Sequence, residues 1–279
     1  MTKLFRLLPL LLLATLISCA KPSAENQEPT STPAALTHPE EVFIVSRATT
    51  RTAATPVVVL LPGASGLKIF DDTQHYHRTA ARLNEAGYDT IIVDYKAYAK
   101  ATKINNSIPG RPAALATGDA LRWARQSGLV DMDGPSGVIA WSLGAQGVWY
   151  IAGAQGMAGS FGVDAAALFY PVIPDEYRSL LTSFPILILA GEADDVCPAE
   201  DIRKYAAAND TVNGKPVTLH VYPDAHHGFD VSTIAKRRRI SLIPLIGPSA
   251  TFQYNQQASE RAWAELLAFL QQHLNPPSR

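Results

Sequence analysis

The chain contains 279 residues, of which 47% are apolar, and its formal net charge at pH 7 is −1. This length suits one large domain or two small ones, and the composition excludes a collagen-like, coiled-coil or disordered chain. The near-zero charge gives no indication of a nucleic-acid partner, so that class of function is not expected.

The N-terminal segment has a pattern of its own. Lys3 and Arg6 precede the apolar run Leu7–Ile17, which is shorter than a membrane-spanning helix. The run ends in the quartet LISC, whose cysteine is Cys19. This arrangement resembles the signal peptide and lipobox of bacterial lipoproteins. An ordinary secretory signal with an incidental cysteine is the alternative interpretation.

The lipobox resemblance implies where the protein acts. Residues 1–18 would be a signal peptide, and a lipidated Cys19 would attach the mature chain to a lipid bilayer through its acyl chains. Ala20 follows the cysteine in place of an aspartate, which in the bacterial sorting pattern favours the outer membrane of the cell envelope. Residues 19–40 are rich in Pro, Ser, Thr and Glu, and they predict a flexible tether. Lipidation would also leave Cys197 without an intrachain disulfide partner.

From residue 41 to residue 279, apolar runs alternate with helical patterns. The runs that predict strands are Val42–Ser46, Thr55–Leu61, Tyr88–Tyr95, Val138–Trp141, Ala165–Phe169, Ile186–Ala190 and Val217–Tyr222. The segments that predict helices are Tyr76–Gly87, Pro112–Gly128, Leu143–Gly156, Ala199–Ala208 and Ala258–Leu274. Fully apolar strands that alternate with helices predict a single three-layer α/β domain, with a mostly parallel sheet and helices on both faces. The first strand is expected at an antiparallel edge.

Polar residues follow three of the predicted strands, at the ends where an α/β sheet places its site. Ser142 follows the strand that ends at Trp141, Asp194 follows the run ILILA, and two histidines, His226 and His227, follow the last strand. The order serine, aspartate, histidine is the order of nucleophile, acid and base in α/β-hydrolases.

The residues around Ser142 support a strained strand-to-helix turn. The segment reads AWSLG, from Ala140 to Gly144, where the usual nucleophile pattern is G-x-S-x-G. Only small side chains fit two positions before and two positions after such a serine, because the chain reverses sharply there. An alanine in place of the first glycine adds a single methyl group.

Several segments together resemble the dienelactone hydrolase-like family of α/β-hydrolases. They are VVVLLPGASGL, ARLNEAGYDTIIVDY, IAWSLGAQG, ILILAGEADDVCP, YPDAHHGFD and ASERAWAELLAFLQQHL, in that order from about Thr55 onward. The resemblance implies Ser142 as nucleophile, Asp194 as acid and His227 as base. Dienelactone hydrolases use a cysteine nucleophile, so the serine favours serine-esterase chemistry. Pro62-Gly63 also replaces the usual His-Gly before the first oxyanion turn.

The resemblance implies an acyl-enzyme mechanism on a small-molecule ester, with no cofactor and no metal. The backbone N–H groups of Ala64 and Leu143 would form the oxyanion hole. Ser65 and Trp141 are candidates for the substrate pocket, although the tryptophan could equally pack in the core. The oligomeric state is not predicted.

Each assignment has an alternative. Ser142 could cap a helix, Asp195 could replace Asp194 as the acid, and His226 could replace His227 as the base. Cys197 could be a nucleophile, but its position before a proline favours a buried, small apolar residue.

Two further charged clusters are open to interpretation. His75 and His77, near Asp71 and Asp72, could suggest a metal site, although polar residues at a helix start explain them better. The basic run at residues 236–239 could attract anionic substrates or lipid headgroups, but a solvated loop is the expectation that we favour.

The leading hypothesis for function is a serine esterase at the bacterial envelope. A peptidase or amidase of the same fold is the alternative among enzymes, since one fold hosts many reactions. A binding lipoprotein that lacks catalytic activity is the alternative from another class.

Overall fold

A seven-stranded sheet forms the centre of the domain, with its strands in the order β1-β3-β2-β4-β5-β6-β7. The computed structural model describes residues 36–52, 54–105, 107–153, 161–178, 182–210, 217–241 and 249–275. The strands are β1 (Phe43–Ser46), β2 (Val57–Leu61), β3 (Asp89–Val93), β4 (Ser136–Trp141), β5 (Ala165–Phe169), β6 (Ile186–Gly191) and β7 (Val217–Tyr222). Strand β1 is antiparallel to β3, and the other neighbours are parallel. The predicted antiparallel edge is therefore confirmed.

Helices cover both faces of this sheet. They are α1 (His75–Glu85), α2 (Tyr95–Thr102), α3 (Arg111–Gln126), α4 (Ala145–Gly153), α5 (Ala199–Asp210) and α6 (Gln256–Leu274). One buried cluster joins Val57, Val59 and Leu61 to α3, α4 and α5, and the other joins Val58 and Leu60 to α1 and α6. Successive side chains of β2 thus enter opposite cores, as a strand covered on both sides requires. The predicted three-layer α/β fold class is confirmed.

The predicted strand Tyr88–Tyr95 is wrong at its C-terminal end. Strand β3 ends at Val93, and Asp94 then caps helix α2 by accepting a hydrogen bond from the backbone N–H of Ala97 at 3.0 Å. A local N-cap therefore decides the boundary in a segment whose apolar pattern favoured a longer strand.

A second sheet, which the sequence analysis did not predict, follows the histidine loop. It is a hairpin of β8 (Arg238–Ser241) and β9 (Ser249–Phe252), whose strands pair antiparallel. The interpretation of residues 236–239 as a solvated loop is wrong for Arg238 and Arg239, which belong to β8. Their side chains are nevertheless exposed, as are those of Lys236 and Arg237.

Several predictions fall on residues that the structure does not describe. They are the signal peptide at 1–18, Cys19, the tether up to residue 35, and residues 154–156 at the end of the predicted helix Leu143–Gly156. Within the described ranges, no helix has both the length and the apolar character needed to cross a membrane.

Candidate active site

Ser142 lies on a sharp turn between β4 and a short 3₁₀ helix that leads into α4. Its φ of 49° is in the left-handed region, where a residue other than glycine carries strain of about 1–3 kcal/mol. A Cβ at Gly144 would lie 2.5 Å from the carbonyl oxygens of Leu61 and Pro62, so only glycine fits there. Ala140 is fully buried and pairs in register with Leu61. The turn therefore requires glycine two residues after the serine but accepts the methyl group of an alanine two residues before it.

His227 connects Ser142 to Asp194. Its Nε2 lies 2.9 Å from the Oγ of Ser142, and its Nδ1 lies 2.8 Å from the Oδ2 of Asp194. In the neutral imidazole, this arrangement lets Nδ1–H donate to the carboxylate while Nε2 accepts from the hydroxyl. The histidine is 3% exposed and the aspartate 5% exposed. The three side chains thus form a continuous hydrogen-bond chain in which the acid and the base are buried and the serine is half-buried.

The loop after β6 fixes the orientation of Asp194. Its Oδ1 accepts hydrogen bonds from the backbone N–H groups of Val196 and Cys197, both at 2.8 Å, which leaves Oδ2 for His227. A Cβ at Gly191 would lie 2.2 Å from the carbonyl oxygen of Ala225, so glycine allows the acid loop to approach the histidine loop. The two loops meet because the ends of β6 and β7 are neighbours in the sheet.

A cavity of about 410 Å³ opens above Ser142. Its polar side-chain lining consists of Ser65, Tyr76, Ser142, Tyr170 and His227. The rest of the described side-chain lining is apolar: Ala64, Ile69, Phe70, Trp141, Leu143, Val172, Val196, Val231, Ile234, Ile240 and Phe252. Among the residues that the structure describes, the lining contains no carboxylate, lysine or arginine. The cavity therefore suits an uncharged, apolar group beside the serine.

Hydrogen bonds hold the loop that carries Ala64, and the side chain of Lys96 donates one of them to the carbonyl oxygen of Ala64. The hydroxyl of Tyr76 accepts from the N–H of Gly63 at 3.0 Å, and the N–H of Gly66 donates to the carbonyl of Gly63 at 3.0 Å. Ala64 and Leu143, the two residues predicted to supply oxyanion donors, both line the cavity with Ser142. Ser65, a predicted pocket residue, lines it as well.

Comparison with family models decides the relationship that the motifs suggest. The model of the dienelactone hydrolase family matches residues 44–274, which is most of the chain. The chain belongs to the dienelactone hydrolase family. A search of curated protein sequences finds no match.

Solved structures share the fold of this family member. A structure described as a dienelactone hydrolase from Klebsiella pneumoniae has a TM-score of 0.60 and 17% identity, and covers 82% of this chain and 92% of that chain. The native esterase Est2 of Thermogutta terrifontis has a TM-score of 0.57 and 16% identity, with coverages of 85% and 90%. Esterase 2 of the same organism, phosphorylated by paraoxon, has a TM-score of 0.55 and 17% identity, with coverages of 82% and 88%. These likenesses confirm an α/β-hydrolase fold.

In this family member, the alternative acid and base lie away from Ser142. Asp195 accepts hydrogen bonds from the N–H and the hydroxyl of Thr251, at 2.8 and 2.9 Å. Burial raises the pKa of Asp195, but these bonds outweigh it and hold the pKa below its ordinary value. The Nδ1 of His226 lies 2.7 Å from the carbonyl oxygen of Ala193. The structure therefore places Asp194 and His227, not their neighbours, beside the serine.

Cys197 is 6% exposed, in line with its interpretation as a small buried residue. Burial and the nearby charge of Asp194 raise its pKa well above the ordinary value, so the thiol stays protonated at neutral pH. Ligand atoms of Asp194, Cys197 and His227 lie within 4.8 Å of one another, a spacing that could hold a metal ion. The acid and base are already bonded to each other, and a protonated thiol is a poor ligand, so the chemistry of this group does not favour a metal.

Among the described residues, His75, His77, Asp71 and Asp72 do not come together as a group that could hold a metal ion. His75 is buried, whereas His77 is exposed. The carboxylate of Asp72 bonds to the side chains of Arg78 and Thr233. Asp71 is exposed and lies 3.9 Å from Arg238.

Trp141 both lines the substrate pocket and packs in the core, the two alternatives that the sequence left open. It lines the cavity, and it is also 2% exposed and stacked on Phe169, with the ring centroids 5.4 Å apart.

Sequence reasoning missed several residues of the site. Phe252 comes from the unpredicted hairpin, and its ring lies edge-on to those of His227 and Phe70, with both centroid distances 5.3 Å. Tyr170 and Asp230 also contact this region. Asp230 lies three residues after His227 in the sequence, so its position near the base could have been predicted. No sequence pattern indicates that Phe252 belongs to the site.

Proposed function

We propose that this family member is a serine hydrolase that cleaves carboxylic esters through an acyl-enzyme intermediate. One observation carries the proposal: a hydrogen-bond chain runs from Asp194 through His227 to Ser142 on the wall of an apolar cavity. A nucleophile, a base and a group that orients the base are the parts that this reaction needs.

In the acylation half-reaction, the Oγ of Ser142 attacks the ester carbonyl carbon while its proton moves to the Nε2 of His227. The carboxylate of Asp194 stabilises the imidazolium that forms. The N–H groups of Ala64 and Leu143 hold the oxyanion, and each such donor typically stabilises the transition state by about 3 kcal/mol. The bond from the carbonyl carbon to the ester oxygen then breaks, and that oxygen takes the proton from His227 and leaves as the alcohol.

In the deacylation half-reaction, a water molecule gives a proton to His227 and attacks the acyl carbon. The bond to Ser142 breaks, the proton returns to its Oγ, and the carboxylic acid departs. The same three side chains therefore act in both halves, and the enzyme ends unchanged.

The cavity lining favours esters with an apolar acid or alcohol group. Among the described lining residues, the hydroxyl of Tyr76 bonds to the N–H of Gly63 and that of Tyr170 bonds to Asp230, so Ser65 carries the remaining hydroxyl apart from the nucleophile. A peptide would bring amide groups that need hydrogen-bond partners, and their burial without partners is unfavourable. This contrast supports an esterase over the peptidase or amidase alternative.

A fluorophosphonate probe tests the nucleophile. The Thermogutta esterase 2 structure is phosphorylated by paraoxon, and we expect an organophosphorus reagent to react with Ser142 in the same way. The probe should label the wild type and the control Ser127→Ala, whose serine lies at the exposed end of α3, and should fail to label Ser142→Ala. A folded wild-type protein that resists labelling would support the binding-lipoprotein alternative.

A substrate panel tests the reaction. We expect hydrolysis of p-nitrophenyl esters, with a preference that depends on acyl length, and no hydrolysis of peptide p-nitroanilides. Faster cleavage of the anilides would establish the peptidase alternative.

We also propose that the protein is anchored in the bacterial envelope through lipidated Cys19, with the outer membrane as its location. The support is the order of basic residues, apolar run and cysteine at the N-terminus. Cys19→Ser should release the full chain from the membrane fraction, whereas the matched variant Cys197→Ser should stay there. Membrane association that is unchanged in Cys19→Ser contradicts the proposal.

A further inference from the structure

A second carboxylate lies behind the hydrogen-bond chain of the active site. Asp230 follows His227 by three residues, and its side chain is 9% exposed. Its Oδ2 accepts a hydrogen bond from the Nε1–H of Trp141 at 2.8 Å, and its Oδ1 accepts one from the hydroxyl of Tyr170 at 2.7 Å. Asp230 does not line the cavity, so it does not contact a substrate held there.

Each of the two donors adjoins one member of the reacting pair. Trp141 directly precedes Ser142, on the strained turn. The ring of Tyr170 packs against the ring of His227, with their centroids 4.5 Å apart. One carboxylate is thus bonded both to the residue that leads into the nucleophile and to the ring that supports the base.

The surroundings of Asp230 keep it charged. The Nε2 of His75 lies 3.5 Å from its Oδ2 and makes no hydrogen bond of good geometry with any residue that the structure describes. Burial raises the pKa of Asp230, but His75 and the two hydrogen bonds outweigh it and hold the pKa below its ordinary value. The other polar groups that share a small space of about 30 Å³ with Asp230 are Thr79 and Arg82 of α1 and Ser259 of α6. Hydrogen bonds to an ionised carboxylate are about twice as strong as those between neutral groups.

We infer that Asp230 is a positioning residue of the hydrolase site: its carboxylate holds Trp141 and Tyr170 and, through them, keeps Ser142 and His227 at reacting distance. The inference rests on the proposed function. It assigns Asp230 no contact with the substrate, so the residue acts on the rate of serine attack and not on substrate binding. A small displacement of a nucleophile relative to its base is sufficient to reduce a rate strongly, since misplacement by 1 Å costs about 100-fold.

The main test is Asp230→Asn. The amide retains the size of the side chain but carries no charge, so both hydrogen bonds weaken, and its NH₂ cannot accept a hydrogen bond as the carboxylate oxygen does. We expect kcat for a p-nitrophenyl ester to fall about 10- to 100-fold, with KM within twofold of the wild-type value. The rate of fluorophosphonate labelling at Ser142 should fall by a similar factor, because labelling requires the same attack.

A second variant separates positioning from folding. Tyr170→Phe keeps the ring against His227 and removes only the hydroxyl, and we expect kcat to fall about 5- to 10-fold. The double variant should lose less than the product of the two single losses, because both single changes act on the same hydrogen bond. Asp224→Asn is the matched control, since Asp224 is an exposed carboxylate three residues before His227. It should retain the wild-type kcat and labelling rate.

Three results would overturn the inference. The first is a folded Asp230→Asn whose kcat and labelling rate stay within twofold of the wild type, even if its melting temperature falls. The second is a loss that appears in KM alone. The third, which decides the matter if Asp230→Asn does not fold, is full kcat in Tyr170→Phe. A wild type that neither hydrolyses esters nor reacts with the probe refutes the proposed function itself, and the inference falls with it.

Discussion

The cavity has two sides that are built differently. The catalytic edge, which consists of Ser142, Asp194 and His227, follows three parallel strands of the main sheet, β4, β6 and β7, with β5 between β4 and β6. Among the described residues, the two strands of the hairpin wall, β8 and β9, pair with each other, and a β-bridge joins Phe252 of this wall to His227 of the catalytic edge. The comparison indicates that the sheet determines the reaction geometry, whereas an appended hairpin shapes the space for substrate.

Adjacent carboxylates serve these two regions separately. Asp194 turns inward to His227, while Asp195 turns to the backbone and hydroxyl of Thr251 in the hairpin wall. A substitution at one of them should therefore change the chemistry, and the same substitution at the other should change the anchoring of the wall.

The largest expected effect comes from this pair. Asp194→Asn should lower kcat about 10³- to 10⁴-fold, because the amide no longer stabilises the imidazolium of His227 or fixes its tautomer. Asp195→Asn should leave kcat within a few fold and lower the free energy of unfolding by about 1 kcal/mol, through weaker bonds to Thr251. Esterase kinetics and urea unfolding of both variants check the comparison, and equal losses of kcat would contradict it.

A smaller effect is expected at the hairpin wall itself. Phe252→Ala removes an aromatic ring that contacts both His227 and Phe70, so we expect the cavity to widen and to bind apolar acyl groups less tightly. We expect kcat/KM for the preferred p-nitrophenyl ester to fall about 5- to 10-fold, since such an aromatic contact contributes about 1 kcal/mol, and longer acyl chains should gain in relative rate.

The neighbouring strand supplies the control for that variant. Arg239→Ala changes an exposed side chain of β8, and it should leave the acyl-length profile unchanged. An unaltered profile in Phe252→Ala would mean that the hairpin wall does not select the substrate.

The smallest effect concerns stability at low pH. Burial raises the pKa of Asp72, but hydrogen bonds from Arg78, Gln74 and Thr233 outweigh it and lower the pKa from 3.8 to about 2. A lowered native pKa stabilises the fold above the unfolded pKa, and this stabilisation is lost as the pH falls from about 4 towards 2. It amounts to about 1–2 kcal/mol. Urea unfolding should show Asp72→Asn less stable than the wild type at pH 7, and the gap should narrow towards pH 2.

The adjacent aspartate is the control for this pH dependence. Asp71 is 89% exposed, so Asp71→Asn should match the wild type at both pH values. A gap for Asp72→Asn that does not narrow on acidification would show that its ionisation does not stabilise the fold.

Much of the fold and of the candidate site could be predicted from the sequence. The seven strands of the main sheet were predicted because each is an apolar run, and Ser142, the aspartate pair and the histidine pair were found because each follows the end of such a run. The family resemblance then favoured Asp194 and His227. Other features could not be predicted. Strand β3 is shorter than its apolar pattern because Asp94 caps α2, and the hairpin follows a basic run whose exposed side chains gave no strand signal.

The sequence by itself determined the parallel sheet, the small residues of the serine turn and the order of the three side chains, because these depend on local pattern and on the rule that strand ends meet at one edge. Only the tertiary structure decided between Asp194 and Asp195, and between His226 and His227. Two adjacent residues in one loop are equally able to reach the serine until the folded backbone directs one side chain towards it. The tertiary structure alone joined Asp230 to Trp141 and Tyr170. These partners are separated from Asp230 by 89 and 60 positions in the chain, and hydrogen bonds over such separations leave no periodic pattern in the sequence.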